Sequence, residues 1–456
     1  MIRRTILVAT LTALAATRGG AQATSKQTVP GGPPPRDHGA IQAMQGKLAP
    51  RFEVDMLWPK PMSNHWILGS AVGVAVDSKD HVFVINLVDS FNARTESGAI
   101  ARPPSGTCCF PSPPVIEYDA AGAVVNSWGG PGQGYDWPGT PTGISIDNKD
   151  NVWIAGSGGL DQHILEFTHD GKFIKQIGKP GTAPPQPAPG PGDTAYAGVS
   201  PGAAGRGGRG GGRGRGGAPA PTLPPNSASA ELFGGATQVA FDAASNEAFV
   251  ADGLRNRRVA VVDLSSGTIR RFFGAYGNKP DDAKLPAYDP SASAAQQFST
   301  VKCAKLSKDG MLYVCDRAND RIQVFKKDGS FVKEVKVAPR TRGEGSVWDV
   351  AFSADAAQRY LYVADGANDK VHVLDRQSLE ELLAFGDGGR VPGEFYAVHS
   401  IAVDSKGNVY TVETYEGKRV QKFVYKGLAP VKSTNLGVLW PAAAAAPAPA
   451  AGGKKP

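Results

Sequence analysis

Four cysteines, seven histidines and a recurring set of acidic residues carry most of the chemistry this chain has available. Cys303 and Cys315 flank the turn Lys308-Asp309-Gly310, which sets Ser307 opposite Met311; counting outward along the two strands brings Cys303 opposite Cys315. Directly opposed residues of antiparallel strands lie about 4.5–5.5 Å apart at Cα, a span that a disulfide bridges. A cross-strand disulfide between these two is therefore expected. Cys108-Cys109, in the loop "ARTESGAIARPPSGTCCFPSPP", leave three outcomes open: a vicinal bridge, two thiols, or pairing between chains. Six of the histidines, His38, His65, His81, His163, His169 and His372, show no metal-ligand spacing and receive no role. Asp252, Asp316 and Asp365, with Glu413, stand at one repeated place in the chain. Recurrence by register points to an architectural task, satisfying backbone donors in a loop, rather than to catalysis. Gly205-Arg206-Gly207-Gly208-Arg209-Gly210 meets the G-x-G-x-x-G spacing, but no strand pattern precedes it and no helix pattern follows, so a dinucleotide site is excluded.

The elements that position these residues follow from an internal repeat. Six segments share one template of apolar strand, polar turn and second strand: "GVAVDSKDHVFV" at Gly73, "GISIDNKDNVWIAG" at Gly143, "QVAFDAASNEAFVADG" at Gln238, "CAKLSKDGMLYVCD" at Cys303, "DVAFSADAAQRYLYVADG" at Asp349 and "SIAVDSKGNVYTVE" at Ser400. Each is followed by a third alternating strand, such as "ILEF" at Ile164 or "IQVF" at Ile322, and most by a fourth, such as "FVKEVK" at Phe331. Period-two alternation bounded by Gly, Asp and Asn is a hairpin signature. Four antiparallel strands per unit, six times over, describe an all-β, six-bladed β-propeller. One such sheet cannot bury its own two apolar faces, whereas radial stacking covers both and leaves short edges. The ring-closing strand is either "FEVDMLW" at Phe52 or "NLGVLW" at Asn435.

Composition divides the rest. Residues 1–23 have Arg3 and Arg4, an apolar run from Ile6 to Ala16 and Ala21-Gln22-Ala23, the pattern of a cleaved export signal on the general route. The mature chain is then expected in the periplasm or outside the cell, where four cysteines form disulfides readily. No later apolar run is long enough to enter a membrane. Residues 24–50 read as linker, 51–440 as the propeller, 179–231 as a Gly/Pro/Arg-rich insertion within it with too little apolar mass to fold, and 441–456 as a tail. The formal charge of +7 resides in these appendages, leaving the propeller at about −3, which argues against nucleic acid as a partner.

The template core in "LYVCDRANDRIQVF" and "LYVADGANDKVHVL" resembles the NHL repeat, and the stretch from Trp58 to Phe423 resembles the lyase domain of peptide-amidating enzymes. Its most telling pieces are "PTGISIDNKDNVW", "QQFSTVKCAKL", "CDRANDRIQVF" and "EFYAVHSIAVDSKGNVY". The resemblance implies a six-bladed propeller that cleaves peptidyl-α-hydroxyglycine, with a channel zinc held by three histidines just before the innermost strands. Those ligand positions fall on Thr142, Lys302 and His399 here. The catalytic arginine and tyrosine fall on Leu87 and Leu254, and the aspartate supporting a structural calcium falls on Ser400; the second substrate-binding arginine is kept as Arg317. One imidazole and one guanidinium do not rebuild that site.

What does not recur among blades is where function is expected: Thr142, Lys302 and His399 in the channel, and Arg317 in a loop after a second strand. His399 is read as a metal ligand or as a channel histidine bonded to backbone. Lys302 supplies an ammonium where relatives hold zinc, which would attract an anion, or it is a solvated lysine. Arg317 is a ligand contact, or it pairs with Asp316 or Asp320. The leading reading is an exported, non-enzymatic propeller binding a peptide, glycan or protein partner, with no cofactor. The alternative is an enzyme, a zinc- or calcium-bearing peptidylamidoglycolate-lyase relative or another channel-based hydrolase.

Overall fold

The computed structural model describes residue 44 and residues 46–100, 108–183 and 221–441. The segment read as an export signal lies outside the described residues, as do most of the insertion and all of the tail after Pro441. Six four-stranded antiparallel sheets make up the body. Their innermost strands are Ser70–Val76, Pro141–Ile146, Ala236–Asp242, Val301–Leu306, Asp349–Phe352 and Val398–Val403. In the first five blades the chain runs from the innermost strand outward. The sixth takes its outermost strand, Leu48–Val54, from the other end of the chain, paired antiparallel with Arg419–Pro430.

That pairing decides the closure. The strand around Phe52 is the latch, and it begins at Leu48, inside the stretch read as linker. The "NLGVLW" segment instead runs along the edge of blade 5: Leu436 N–H donates to the Ala384 carbonyl at 2.9 Å, and Leu439 O accepts from Val54 N–H at 2.7 Å. The end of the insertion also packs on the body, where Ser227 is buried and its carbonyl accepts from Arg258 Nη1 at 2.9 Å.

Buried residues fall into six apolar clusters, each spanning two neighbouring blades, one per seam of the ring. Sheets covered on both faces read as nearly continuous apolar runs, which explains second strands such as "YLYVAD" at Tyr360 that are buried throughout. The outer strands meet water on one side, and Phe331–Lys336 is correspondingly half-exposed. The recurring acids are architectural, as expected. Asp316 Oδ1 accepts backbone N–H groups of Ser299 and Thr300, and its Oδ2 accepts from Arg321 Nε at 2.8 Å with both side chains buried. Asp252 with Arg258, and Glu413 with Arg419, repeat the arrangement.

Cys303 and Cys315 are register partners and form a disulfide with a Cα–Cα distance of 4.9 Å. Of the three outcomes left open for Cys108-Cys109, the structure shows the vicinal bridge, so among the described residues no cysteine is free. No described helix is long and apolar enough to cross a membrane.

Candidate functional site

A β-bulge at one place in five of the six blades builds the channel mouth. The register slips between Ala71 and Gly73, Pro141 and Gly143, Ala236 and Gln238, Val301 and Cys303, and Val398 and Ser400. The residues passed over are Val72, Thr142, Thr237, Lys302 and His399. In blade 5, Trp348 holds the same position, its N–H donating to Ala364 O, whose residue already pairs with Asp349. A bulged residue is left out of the ladder and its side chain is re-aimed. These five residues and Trp348, arranged around one axis, line a narrow cavity of about 10 Å³, roughly the space of one water molecule. Thr142, Lys302 and His399 are thus brought together, within the innermost strands rather than before them.

Immediately below, the next residue of three blades, Gln238, Asp349 and Ser400, together with Ser145 three positions past Thr142 in blade 2, closes the channel with a polar belt. Ser145 accepts from Val239 N–H, Gln238 from Ala304 N–H, Asp349 from Ile401 N–H and Ser400 from Val74 N–H. Gln238 Nε2 donates to Asp349 Oδ1 at 3.1 Å and Ser400 Oγ to Asp349 Oδ2 at 2.6 Å. Beyond the belt the channel opens into a wider funnel whose lining includes Val74, Ile144, Val239, Ala351 and Ile401 together with Asp147, Asn148 and Lys305.

Two cations gather at the mouth. Lys302 is 5 % exposed, and among the described residues its ammonium has no hydrogen bond or ion pair. Burial strips the amine of water and the Arg317 charge repels it, so its pKa falls to about 7 against the attraction of Asp349 and Glu344. Arg317 lies over the Trp348 ring at 4.6 Å and pairs through Nη2 with Glu344 at 2.5 Å. Its partner is therefore neither Asp316, which is held by Arg321, nor Asp320, which accepts from Ser346 N–H. Burial also lowers the Arg317 pKa, the Glu344 carboxylate opposing. The other edge of Trp348 meets His399, ring centroids 5.4 Å apart.

Reading from three carried-over positions missed Trp348, Thr237 and Val72; counting the same register through all six repeats would have found them. The Thr142 hydroxyl is spent on Ala236 O at 3.2 Å and that of Thr237 on Lys302 O at 2.8 Å. A hydroxyl so engaged, an ammonium and one imidazole do not fit a three-imidazole zinc centre. The calcium position fits no better, since Ser400 and both oxygens of Asp349 are committed to the belt. Leu87 ends the second strand of blade 1 and Leu254 sits in the loop after that of blade 3, so neither offers a polar group.

Fold and site together define an all-β six-bladed propeller with a cationic, tryptophan-backed channel mouth. No protein-family model and no curated protein sequence matches the chain. Among solved structures it is similar to a streptogramin B lyase, at 10% identity and a TM-score of 0.43, over 83% of this chain and 98% of that one. It is also similar to a catalytically inactive virginiamycin B lyase from Staphylococcus aureus bound to quinupristin, at 12% identity and a TM-score of 0.40, over 83% and 89% of the two chains.

Proposed function

We propose that the chain is an exported binding module whose channel mouth receives an anionic group of a peptide, glycan or protein partner. The carrying observation is Lys302, a buried ammonium without a hydrogen bond or ion pair among the described residues, beside the partly buried guanidinium of Arg317. A buried charge is costly unless paired, and an entering carboxylate would offset that cost for Lys302. The cavity itself has room for little more than a water molecule, so the carboxylate would sit at its rim and the body of the ligand on the surrounding loops, with Trp348 as its apolar backing. Export is supported by the amino-terminal pattern and by two disulfides, which persist in oxidising compartments. The resemblance to NHL repeats and amidating lyases supports the scaffold only, since the lyase donor set is replaced.

Titration calorimetry with acetate and with a panel of acidic peptides and uronic-acid glycans tests this reading, alongside Lys302→Met. Binding that is lost in the variant supports it; equal binding by both proteins, or none by the parent, overturns it. A second reading rests on the same amine. A lysine titrating near 7 is partly unprotonated at neutral pH and competent as a base or carbonyl nucleophile. Borohydride trapping of an aldehyde ligand on Lys302, found by peptide mass mapping, would favour that enzyme reading over the binding module.

A further inference from the structure

At the far end of the innermost strand of blade 1, about 16 Å along the chain from Val72 at the strand rise of ~3.3 Å per residue, four ligand-type side chains converge. His81 Nδ1 lies 2.6 Å from Glu117 Oε1 and 3.9 Å from Asp77 Oδ2; His169 Nε2 lies 2.9 Å from Asp77 Oδ2 and 3.5 Å from Glu117 Oε1. All four donor atoms fall within 4.8 Å of one another. We infer that Asp77, His81, Glu117 and His169 form a structural divalent-metal site of the zinc class that pins blade 1 to blade 2.

The sister blades serve as internal controls. In blade 2 the matching carboxylate, Asp147, has its Oδ2 satisfied by Asn151 Nδ2 at 3.3 Å and Trp153 Nε1 at 3.1 Å. In blade 6, Asp404 Oδ2 accepts from Asn408 Nδ2 at 2.7 Å and the Tyr410 hydroxyl at 3.0 Å. Blade 1 replaces the amide by His81 and the aromatic donor by Phe83, which has no polar atom. The charge balance differs in the same direction. Glu166, at the position of Glu117, is met by Lys175 at 3.3 Å, and blade 6 places Lys422 there. Among the described residues neither Asp77 nor Glu117 pairs with a lysine or arginine, although their side chains are only 0% and 3% exposed. Two buried carboxylates facing each other require positive charge between them, and a divalent ion supplies two units at one point.

The donors suit that ion. Zinc takes imidazole nitrogen at about 2.0–2.1 Å and carboxylate oxygen at about 2.0–2.2 Å in a tetrahedron, whose edges are then roughly 3.3–3.5 Å. The observed edges straddle this range, so closing around an ion calls for side-chain shifts below about 1 Å. Asp77 is already oriented, because its Oδ1 accepts Lys79 N–H at 2.9 Å and His81 N–H at 2.7 Å, leaving Oδ2 for the ion. Three ligands belong to blade 1, whereas His169 lies in the turn after the third strand of blade 2. Four protein donors leave no open position, which fits a structural rather than a catalytic ion.

The test uses the full mature chain, stripped with chelator, offered zinc, freed of excess by gel filtration and measured by mass spectrometry. His81→Asn, which installs the residue of blades 2 and 6, His169→Ala and His399→Ala run in parallel, with folding checked by circular dichroism. One zinc per chain is expected in the parent and in His399→Ala, with affinity lowered at least ~100-fold in the other two. Cobalt(II) in place of zinc should give the visible bands of a tetrahedral site, lost in His81→Asn. A parent that retains no zinc, or a folded His81→Asn that binds as the parent does, overturns the assignment.

Discussion

Replacing Lys302 by methionine, a side chain of similar length without charge, should make the protein more stable near neutral pH. The amine titrates near 10.5 in the unfolded chain and at about 7 in the fold. Between those values the unfolded state binds the extra proton, so stability rises with pH across that window and is lowest below about 7. At ~1.4 kcal/mol per tenfold step, the cost of the charged amine has a ceiling near ~5 kcal/mol, and relaxation around the pocket would leave about 2 kcal/mol or more. Lys302→Met removes that cost, so its advantage over the parent should be largest at pH ~6 and vanish near pH ~10.5. Urea denaturation of both proteins across this range, plotted as a difference, isolates the effect, because every other titrating group cancels. Acetate at pH ~6 should narrow the gap by stabilising the parent alone. A difference curve flat in pH, or a variant less stable than the parent at pH ~6, would show that the ammonium is solvated or paired, and the anion-binding reading would fall with it.

Other outcomes follow from the same geometry. Burial opposes charge on His372, but the hydrogen bonds its ring donates to Asp365 at 3.1 Å and Glu381 at 2.9 Å push its pKa up to about 9. Its contribution is fully present below about 6.5 and lost as pH rises through 9; His372→Gln, the residue at this register in blades 4 and 6 as Gln323 and Gln421, should abolish that loss in denaturation curves. Phe52→Ala in the latch strand removes ring contacts with Tyr362 and Phe385, both 5.6 Å away, and should cost about 3–5 kcal/mol in chemical denaturation. Serine at both Cys303 and Cys315 opens a loop with a sequence separation of 12 and should cost about 2–3 kcal/mol, whereas the parent treated with reductant should fall to the same stability. Trp348→Leu should weaken any ligand held at the channel mouth at least tenfold by calorimetry, while leaving thermal unfolding within a few degrees.

The blade count, the strand order within each blade and the Cys303–Cys315 bridge were legible in the chain because they depend on local pattern. Alternation with period two, turns at Asp and Gly, and register counted from one hairpin all act within about fifteen residues. The same holds for the arginines that pair with three of the recurring acids, Asp252, Asp316 and Glu413, five or six positions along. Closure was not legible, since Phe52 and Asn435 both begin strand-like apolar segments and only the pairing with Arg419–Pro430 separates them. Nor was the partner of Arg317: Asp316 and Asp320 are its neighbours in the chain, but Glu344 and Trp348 reach it from the next blade.

The sequence by itself therefore determined a ring of six interchangeable sheets and which residues break their pattern. The tertiary structure alone decided what those exceptions meet. A ring brings together residues at equal register from every blade, so Lys302 and His399 share a pocket although almost a hundred positions separate them. It also sets turns of adjacent blades side by side, which is how His169 comes to face Asp77. Spacing along the chain reports neighbours on one strand or turn; contacts across a seam or around an axis are set by packing, and these build both sites.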